Sequence, residues 1–446
     1  MKPILFTNGR VVDPSQHLDE VTSLLVQDGR VAGIGLDVRA PDGADVFDAT
    51  GLVIGPGLVD VHVHLREPGQ EDRETIATGA MSAVAGGFTA ICAMPNTDPV
   101  IDNQGAVGFV KAKGEAAGLA RVYPIGCVSV GQRGERLAEF GEMAAAGAVA
   151  VSDDGQPVMS SHLMRTALEY ARTFGIPVAD HCEDLPLAAG GAMHEGIVST
   201  RLGLKGIPAA AEEIHVARDI ILAGLTGGHV HLCHMSTRGS VELIRRAKDQ
   251  GLRVTAEAAP HHFTLTHERC EGYDTSAKMN PPLREAEDRD AIRAALADGT
   301  LDCIATDHAP HHYDAKEREF DDAPNGIIGL ETALSLALRE LVLSGRMTLP
   351  TLFERMSCAP ARLWHLAGGT LRRGSVADLV VFDPGAEWTV DPSRLRSKSR
   401  NTPWAGETLP GVVHATFVGG RPVFVRSEPG SRKAHRRPRP HPPATG

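Results

Sequence analysis

Two patterns of hydrophobic and polar residues occur along the chain, one at its two ends and the other between them. Residues 2–50 carry short β-branched runs separated by Asn-Gly and Asp-Gly pairs, and a similar pattern is found at residues 374–384 and 412–425. Such pairs between short apolar runs are typical of two-residue hairpin turns. We therefore predict antiparallel hairpins at both ends of the chain, joined in one small β-sandwich domain.

Between the two ends, short apolar runs alternate with Ala-rich stretches of helical periodicity, such as residues 74–87 and 209–225. The apolar runs occupy residues 57–64, 88–94, 121–130, 148–154, 176–182, 229–235, 253–260 and 301–309. Alternation of this kind predicts an α/β fold with a parallel sheet and helices outside it. Eight strands fit a closed (β/α)8 TIM-like barrel, and an open doubly wound sheet is the alternative.

These patterns divide the chain into four predicted parts. We predict that residues 1–56 and 367–426 form the small β domain and that residues 57–366 form the barrel. Residues 427–446 are rich in Arg, Pro and His and poor in large apolar residues. Such a composition cannot bury enough apolar surface to offset the entropy of ordering, so a disordered tail is expected there.

Composition and charge indicate which binding partners and which cellular compartment to expect. The formal net charge is -11, which argues against a nucleic-acid or membrane-binding face. Seven scattered cysteines without C-x-x-C spacing indicate reduced thiols. The N-terminal residues show no signal-peptide pattern, and no apolar run reaches the roughly 20 residues that span a bilayer. We predict a cytoplasmic protein that acts on a small molecule.

Imidazoles and carboxylates recur at the C-terminal ends of the predicted strands. Because alternate residues of a strand face the same side, His62 and His64 project together. The other strand ends carry Asp153, Asp154, His181, His234 and Asp307. A barrel would gather these ends in one mouth. The set suits Zn²⁺ or a similar divalent ion, and it exceeds the three protein ligands of a simple catalytic zinc, which indicates two ions.

Asp307 has a second expected role, since a carboxylate beside a metal ion can also accept a proton from the attacking water in hydrolysis. Four further side chains are candidates for binding an anionic, amide-rich substrate: Arg66, Asn96, Asn280 and His311. The planar fork of Arg66 matches a carboxylate. The alternative for Arg66 is a salt bridge with Glu67 or Glu71.

Some neighbouring residues are assigned lesser roles. His261 and His262 are predicted to be structural, and strand alternation is expected to turn Cys182 and Cys233 away from the mouth. The charged segment 311–326 lacks helix or strand periodicity, and we expect it to act as a lid.

Seven motifs occur in order along the chain: GLVDVHVHLREPG, AMPNTDP, SDDG, HLCHMST, PHHFTLT, KMNPPLR and ATDHAPH. Together they make the chain resemble the dihydroorotases of the larger bacterial type, within the metal-dependent amidohydrolase superfamily. The resemblance extends from the N-terminal hairpins to near residue 411. It implies a (β/α)8 barrel with a small β domain from both ends, and the reversible conversion of N-carbamoyl-L-aspartate to L-dihydroorotate and water in pyrimidine biosynthesis.

The resemblance also implies site residues, position by position. The implied metal ligands are His62, His64, Asp154, His181, His234 and Asp307, with Asp307 as the catalytic acid-base residue. The implied substrate contacts are His64, Arg66, Asn96, Asn280, His311, Asn325 and Gly326. Hydantoinases bridge two metals with a carboxylated lysine, whereas SDDG places aspartate at that strand end. The family pattern favours Asp154 over Asp153 as the bridge and leaves open whether one or two Zn²⁺ bind.

Other functions remain open at this point. A hydantoinase or allantoinase would share the fold and the hydrolytic chemistry, but its substrates lack the carboxylate that Arg66 is predicted to bind. A non-catalytic barrel subunit that supports aspartate carbamoyltransferase is expected to have lost ligands, and this chain keeps all six. The resemblance is compatible with a homodimer and with association of the active chain with that transferase.

Overall fold

The computed structural model describes residues 2–426, so the predicted tail at 427–446 lies outside the described residues. The strands are β1 (Ile4–Asp13), β2 (Leu18–Gln27), β3 (Arg30–Ile34), β4 (Asp45–Asp48), β5 (Val53–Pro56), β6 (Leu58–Val63), β7 (Phe88–Ala93), β8 (Arg121–Pro124), β9 (Val151–Ser152), β10 (Val178–Asp180), β11 (Met193–His194), β12 (Gly206–Ile207), β13 (Val230–Leu232), β14 (Val254–Ala258), β15 (Cys303–Ile304), β16 (Leu379–Thr389), β17 (Thr408–Val418) and β18 (Arg421–Val425).

The helices are α1 (Ile76–Ala85), α2 (Gln104–Ala117), α3 (Phe140–Ala146), α4 (Ser161–Phe174), α5 (Leu185–Ala188), α6 (Ile197–Leu202), α7 (Ala210–Thr226), α8 (Arg238–Asp249), α9 (Pro260–Thr264), α10 (Ala286–Asp298), α11 (Tyr313–Lys316), α12 (Ala333–Ala337), α13 (Leu349–Phe353) and α14 (Ala359–Leu363). Two π-helical stretches, Leu338–Val342 and Glu354–Cys358, extend α12 and connect α13 to α14. Helix starts follow local sequence, as at Thr75 and Asn103, whose side chains accept backbone N–H bonds of the first turn.

Both ends of the chain contribute to one sheet. Its strand order is β18-β17-β16-β5-β1-β2-β3, and β4 pairs with β1. The two ends join where β5 and β16 run antiparallel, with Ile54 opposite Val381. Phe6, Val11 and Leu24 are buried in the apolar cluster of this sheet with Ile54 and Val381. The hairpins predicted at both ends, β1–β2–β3 and β17–β18, are confirmed.

The central strands pair in parallel and in cyclic order. β6, β7 and β8 form one row, and β9, β10, β13, β14 and β15 form another. Two bridges connect the rows, one between Gly126 and Val151 and one between Val63 and His308. Each of the eight predicted apolar runs contains one of these strands, so the mixed α/β prediction is confirmed. The short parallel pair β11–β12 was not predicted, because two residues carry no periodicity.

The sequence predicts neither a membrane-spanning helix nor a disulfide bond. Within residues 2–426, no helix combines the length and apolar character required to cross a membrane. All seven cysteines lie in this part of the chain, and they are buried and free of disulfide bonds.

Candidate active site

The six predicted metal ligands meet where the parallel strands end. They are His62, His64, Asp154, His181, His234 and Asp307, and none is more than 5% exposed. His62 lies within β6, His64 follows β6, Asp154 follows β9, His181 follows β10, His234 follows β13 and Asp307 follows β15. Parallel strands carry their C-terminal ends to one side, so residues far apart in sequence converge there.

Asp154 lies at the centre of this cluster. Its Oδ2 atom is 3.4 Å from Nε2 of His62 and 3.4 Å from Nε2 of His64. Its Oδ1 atom is 3.3 Å from Nε2 of His234 and 3.7 Å from Nδ1 of His181. The two oxygens of one carboxylate therefore face two different pairs of imidazoles.

Asp307 completes one of the two groups. Its Oδ1 atom lies 3.0 Å from Nε2 of His64 and 3.4 Å from Nε2 of His62. One group thus contains His62, His64 and Asp307, and the other contains His181 and His234, with Asp154 between them.

The neighbouring aspartate has a different environment. Asp153 accepts hydrogen bonds from the backbone N–H groups of Val128 and Ser129, at 2.9 and 3.1 Å, and from the Ser129 hydroxyl. Burial raises the pKa of Asp153 to about 6. Asp153 thus holds a loop, whereas Asp154 faces the imidazoles of the cluster.

Backbone conformation at the strand ends sets the directions of several side chains. Arg66, His234 and Asp307 adopt left-handed φ angles of 62°, 38° and 47°. Such conformations are uncommon outside glycine and break the alternation of a strand. The prediction that Cys233 points away is wrong for this reason, since its sulfur lies within 4.8 Å of ligand atoms of His62 and Asp154.

Hydrogen bonds fix the tautomers of two histidines. His62 donates from Nδ1 to Glu257 at 2.7 Å, and His64 donates from Nδ1 to Oδ1 of Asn96 at 2.8 Å. In the neutral form of each ring, the Nε2 atom carries a lone pair that faces aspartate oxygens. His62 Nε2 and His234 Nδ1 are buried and lack a hydrogen-bond partner within residues 2–426. Acceptors that face acceptors fit a divalent cation between them.

Glu257, in β14, is the buried residue that sequence analysis missed. Its Oε1 atom also accepts the backbone N–H of His234 at 3.3 Å, and its Oε2 atom lies 3.1 Å from Nε2 of His231. Nδ1 of His231 lies 2.8 Å from the Thr255 hydroxyl. The available signal was a single carboxylate within the apolar run at 253–260.

We expect Glu257→Gln to weaken zinc binding by roughly 10- to 100-fold, because the neutral amide no longer supports the basicity and orientation of His62. The measurement is zinc affinity by chelator competition, with thermal unfolding as a check of the fold. The exposed Glu242 in α8 provides a matched control, Glu242→Gln. Equal zinc affinities for both variants would refute this role.

Arg66 lies beside the cluster as a buried cation, 7% exposed. It donates from Nε to the carbonyl oxygen of Pro310 at 3.2 Å, and in the described part of the chain no carboxylate lies within 4.0 Å of its guanidinium. Burial, followed by repulsion from Arg73, lowers the pKa of Arg66 to about 10. Glu67 pairs instead with Lys113, so the salt-bridge alternative is wrong. A buried cation with no carboxylate in direct contact among the described residues favours an anionic ligand.

His311 and Gly326 lie next to Arg66 on the segment predicted as a lid. His311 donates from Nε2 to the carbonyl oxygen of Asn325 at 2.8 Å, which leaves a buried lone pair on Nδ1. Burial and then the Arg66 charge lower the pKa of His311 to about 2, so the ring is neutral. Gly326 has a φ of 153°, and an added Cβ would lie 2.6 Å from the carbonyl oxygen of Ala309. Only glycine fits there.

Two asparagines complete the predicted contacts. Asn96 accepts the hydrogen bond from His64 through Oδ1, and its NH₂ group donates no hydrogen bond within the described residues. Asn280 lies 3.3 Å through Nδ2 from both His181 Nε2 and Glu183 Oε2, and its Oδ1 atom is buried without a partner in the described residues. Glu183 was also missed by sequence analysis.

The predicted structural role of one further histidine agrees with its contact. His262 donates from Nε2 to the carbonyl oxygen of Pro281 at 2.9 Å. This bond holds the turn that carries Asn280. His261 is also buried, and its ring centroid lies 4.3 Å from that of His262.

Comparison with known proteins gives relatives over almost the full chain. The family model described as Dihydro-orotase-like matches residues 51–240. A protein named dihydroorotase from Pelobacter propionicus is 56% identical over 95% of this chain and 100% of its own length. Another from Anaeromyxobacter dehalogenans is 57% identical over 95% of this chain and 98% of its own length.

Solved structures show a similar fold. An L-hydantoinase (dihydropyrimidinase) from Arthrobacter aurescens has a TM-score of 0.86 at 28% identity and covers 96% of this chain and 97% of its own. A dihydropyrimidinase from Brevibacillus agri, at 24% identity, has a TM-score of 0.81 over 94% of each chain.

Fold and site together define a cyclic amidohydrolase with a cluster of histidines and aspartates suited to metal. Among proteins of this class, the identities above decide the family. The chain belongs to the dihydroorotase family.

Proposed function

We propose that the protein catalyses the reversible cyclisation of N-carbamoyl-L-aspartate to L-dihydroorotate and water, the ring-closing step of pyrimidine biosynthesis. The proposal rests on one juxtaposition. The buried guanidinium of Arg66, which forms no salt bridge within residues 2–426, lies beside a cluster of four imidazoles and two carboxylates, so an anionic substrate and a hydrolytic centre can share one site. Relatives named dihydroorotase favour this substrate over hydantoin or allantoin.

We further propose that the parallel strands form a closed (β/α)8 barrel. The cyclic order of pairing, which returns to β6 through the bridge between Val63 and His308, supports closure. The sheet built from both chain ends is the proposed small β domain, and its bounds at residues 56 and 367 stay a prediction.

We propose that the cluster holds one or two Zn²⁺ ions. The ligands would be His62, His64, Asp154, His181, His234 and Asp307, with Asp154 as the bridge because its two oxygens face separate groups. When bound, zinc supplies Lewis acidity that polarises a carbonyl and makes water more acidic.

We assign the substrate contacts from the side-chain donors and acceptors of the site that could still form hydrogen bonds. Arg66 would bind the carboxylate of dihydroorotate, and the NH₂ group of Asn96 would donate beside it. The lone pair on Nδ1 of neutral His311 would accept a ring N–H. Asn280 offers its buried Oδ1 atom as a second acceptor. Gly326 lets the loop backbone pass close to the His311 ring, because an added Cβ would lie 2.7 Å from that ring.

Asp307 would carry the proton. In hydrolysis, the oxygen of water bonds to the ring carbonyl carbon, and the carboxylate of Asp307 takes the proton that water loses. The bond between this carbon and the ring nitrogen then breaks, and Asp307 returns the proton to the nitrogen. Cyclisation runs the same transfers in reverse. Burial of Asp307 excludes bulk water from the exchange.

The test is an assay of the purified full chain in both directions, with zinc restored and metal content measured. We expect turnover of dihydroorotate and carbamoyl aspartate, loss of activity after chelation and recovery on adding zinc. Hydantoin and allantoin serve as competing substrates. Inactivity of a zinc-loaded, folded chain on dihydroorotate would overturn the proposal. Size analysis with and without aspartate carbamoyltransferase checks the proposed homodimer and association.

A further inference from the structure

We propose that Asn401 is a positioning residue that closes the base of the site loop, residues 311–326, and thereby aims His311 and Gly326 at the substrate. This inference rests on the proposed function. Asn401 lies far along the chain from the loop, in a segment between β16 and β17, and it is 5% exposed. Sequence analysis gave it no role.

The side-chain amide of Asn401 spans both ends of the loop. Its Oδ1 atom accepts the backbone N–H of His311 at 3.1 Å. Its Nδ2 atom donates to the carbonyl oxygens of Ala309 and Gly326, at 2.9 and 3.0 Å. The backbone oxygen of Asn401 also accepts the N–H of Ile328 at 3.0 Å. One buried side chain thus joins the backbone segment that enters the loop to the segment that leaves it.

The body of the loop is held by two ammonium groups, one outside the loop and one within it. Lys278 donates from Nζ to the carbonyl oxygens of Phe320 and Asp321, at 2.6 and 2.8 Å. Lys316 donates to the carbonyl oxygen of Pro324 at 2.8 Å. With the body held in this way, the bond from the His311 N–H to Asn401 sets the backbone position from which the His311 side chain projects.

Asn401 is itself held by a strap, residues 396–404. Glu331 accepts the backbone N–H groups of Arg396 and Ser397, at 2.6 and 3.1 Å. Glu74 accepts the backbone N–H of Lys398 at 3.1 Å and bonds the Ser397 hydroxyl. The buried carboxylate of Glu74, just before α1, and the partly buried carboxylate of Glu331, just before α12, therefore fix the strap before it reaches the loop.

Apolar packing fixes the other end of the strap. Trp404 is fully buried in a cluster with Met279, Ala309 and Ile327. Met279 precedes Asn280, and Ala309 and Ile327 flank the site loop. The strap thus contacts both segments that carry predicted substrate contacts, and Asn401 supplies the polar bonds between them.

The test compares Asn401→Ala with the wild type. We expect KM for dihydroorotate to rise by roughly 10- to 100-fold with a smaller change in kcat, because misplaced contacts weaken substrate binding while the zinc ligands remain in place. Zinc content should be unchanged. Backbone hydrogen exchange should accelerate within residues 309–327, and this readout does not depend on activity.

Asn401→Asp separates the acceptor from the donors. The carboxylate can still accept the N–H of His311, but it faces the carbonyl oxygens of Ala309 and Gly326 without a proton to donate. We expect its KM to be at least as high as that of Asn401→Ala. Thr416→Val is the matched control, because it removes another buried bond, from Thr416 to the carbonyl oxygen of Val84 at 2.7 Å. It should lower Tm and leave KM unchanged.

Outcomes for the two proposals are distinguishable. If the wild type fails to turn over dihydroorotate, the proposed function is wrong. Backbone hydrogen exchange within residues 309–327 still tests the positioning role of Asn401. If Asn401→Ala keeps the wild-type KM and the wild-type rates of backbone hydrogen exchange, the positioning role of Asn401 is overturned. Should Asn401→Ala fail to fold, Asn401→Ser gives the same comparison, since its short, neutral side chain cannot span the two ends of the loop.

Discussion

Replacing Asp307 with asparagine is expected to lower kcat for dihydroorotate hydrolysis by about 10²- to 10⁴-fold, the range of a lost general acid-base group. The amide keeps the size of the carboxylate but cannot take a proton from water. We expect KM to change far less, because no predicted contact to the substrate depends on this proton. The measurement is steady-state kinetics in both directions on Asp307→Asn with its zinc content determined.

A control for this substitution exists in the β2–β3 turn. Asp28 has a φ of 50°, a conformation that asparagine also adopts readily, and Asp28→Asn should retain full activity. If Asp307→Asn retained zinc and also turned over substrate within a few-fold of the wild type, another group would have to carry the proton.

Removing the guanidinium of Arg66 is expected to lower kcat/KM for dihydroorotate by about 10²-fold. Hydrogen bonds to a charged group contribute roughly 1.5–3 kcal/mol, and each 1.4 kcal/mol corresponds to a factor of ten. Hydantoin lacks the carboxylate, so any turnover of hydantoin should fall much less. The measurement is the ratio of kcat/KM for the two substrates in Arg66→Ala and the wild type.

Arg165→Ala is a suitable control, since Arg165 forms an exposed pair with Glu169 on α4. Its substrate ratio should equal that of the wild type. Equal losses on dihydroorotate and hydantoin in Arg66→Ala would show that Arg66 supports the pocket as a whole. In that case the buried charge would have a structural explanation, and the carboxylate-binding role would be withdrawn.

Much of the site could be located from strand ends alone. His62 and His64 were paired by the two-residue period of a strand, and the remaining ligands were grouped because parallel strands end on one side. The structure brings all six together, while their role as ligands stays a prediction. Cys233 was misplaced because the left-handed backbone at His234 interrupts strand alternation, and a φ angle is not visible in an apolar pattern.

The sequence by itself determined the order of strands and helices, the hairpins at both ends and the polar residues at the strand ends, because these depend on local periodicity and turn chemistry. The tertiary structure decided which atoms face one another. It separated Asp154 from Asp153, gave His62 its partner Glu257, left Arg66 without a salt bridge within residues 2–426 and brought Asn401 to the base of the site loop. These facts depend on contacts between distant segments, and local residue preferences do not encode them.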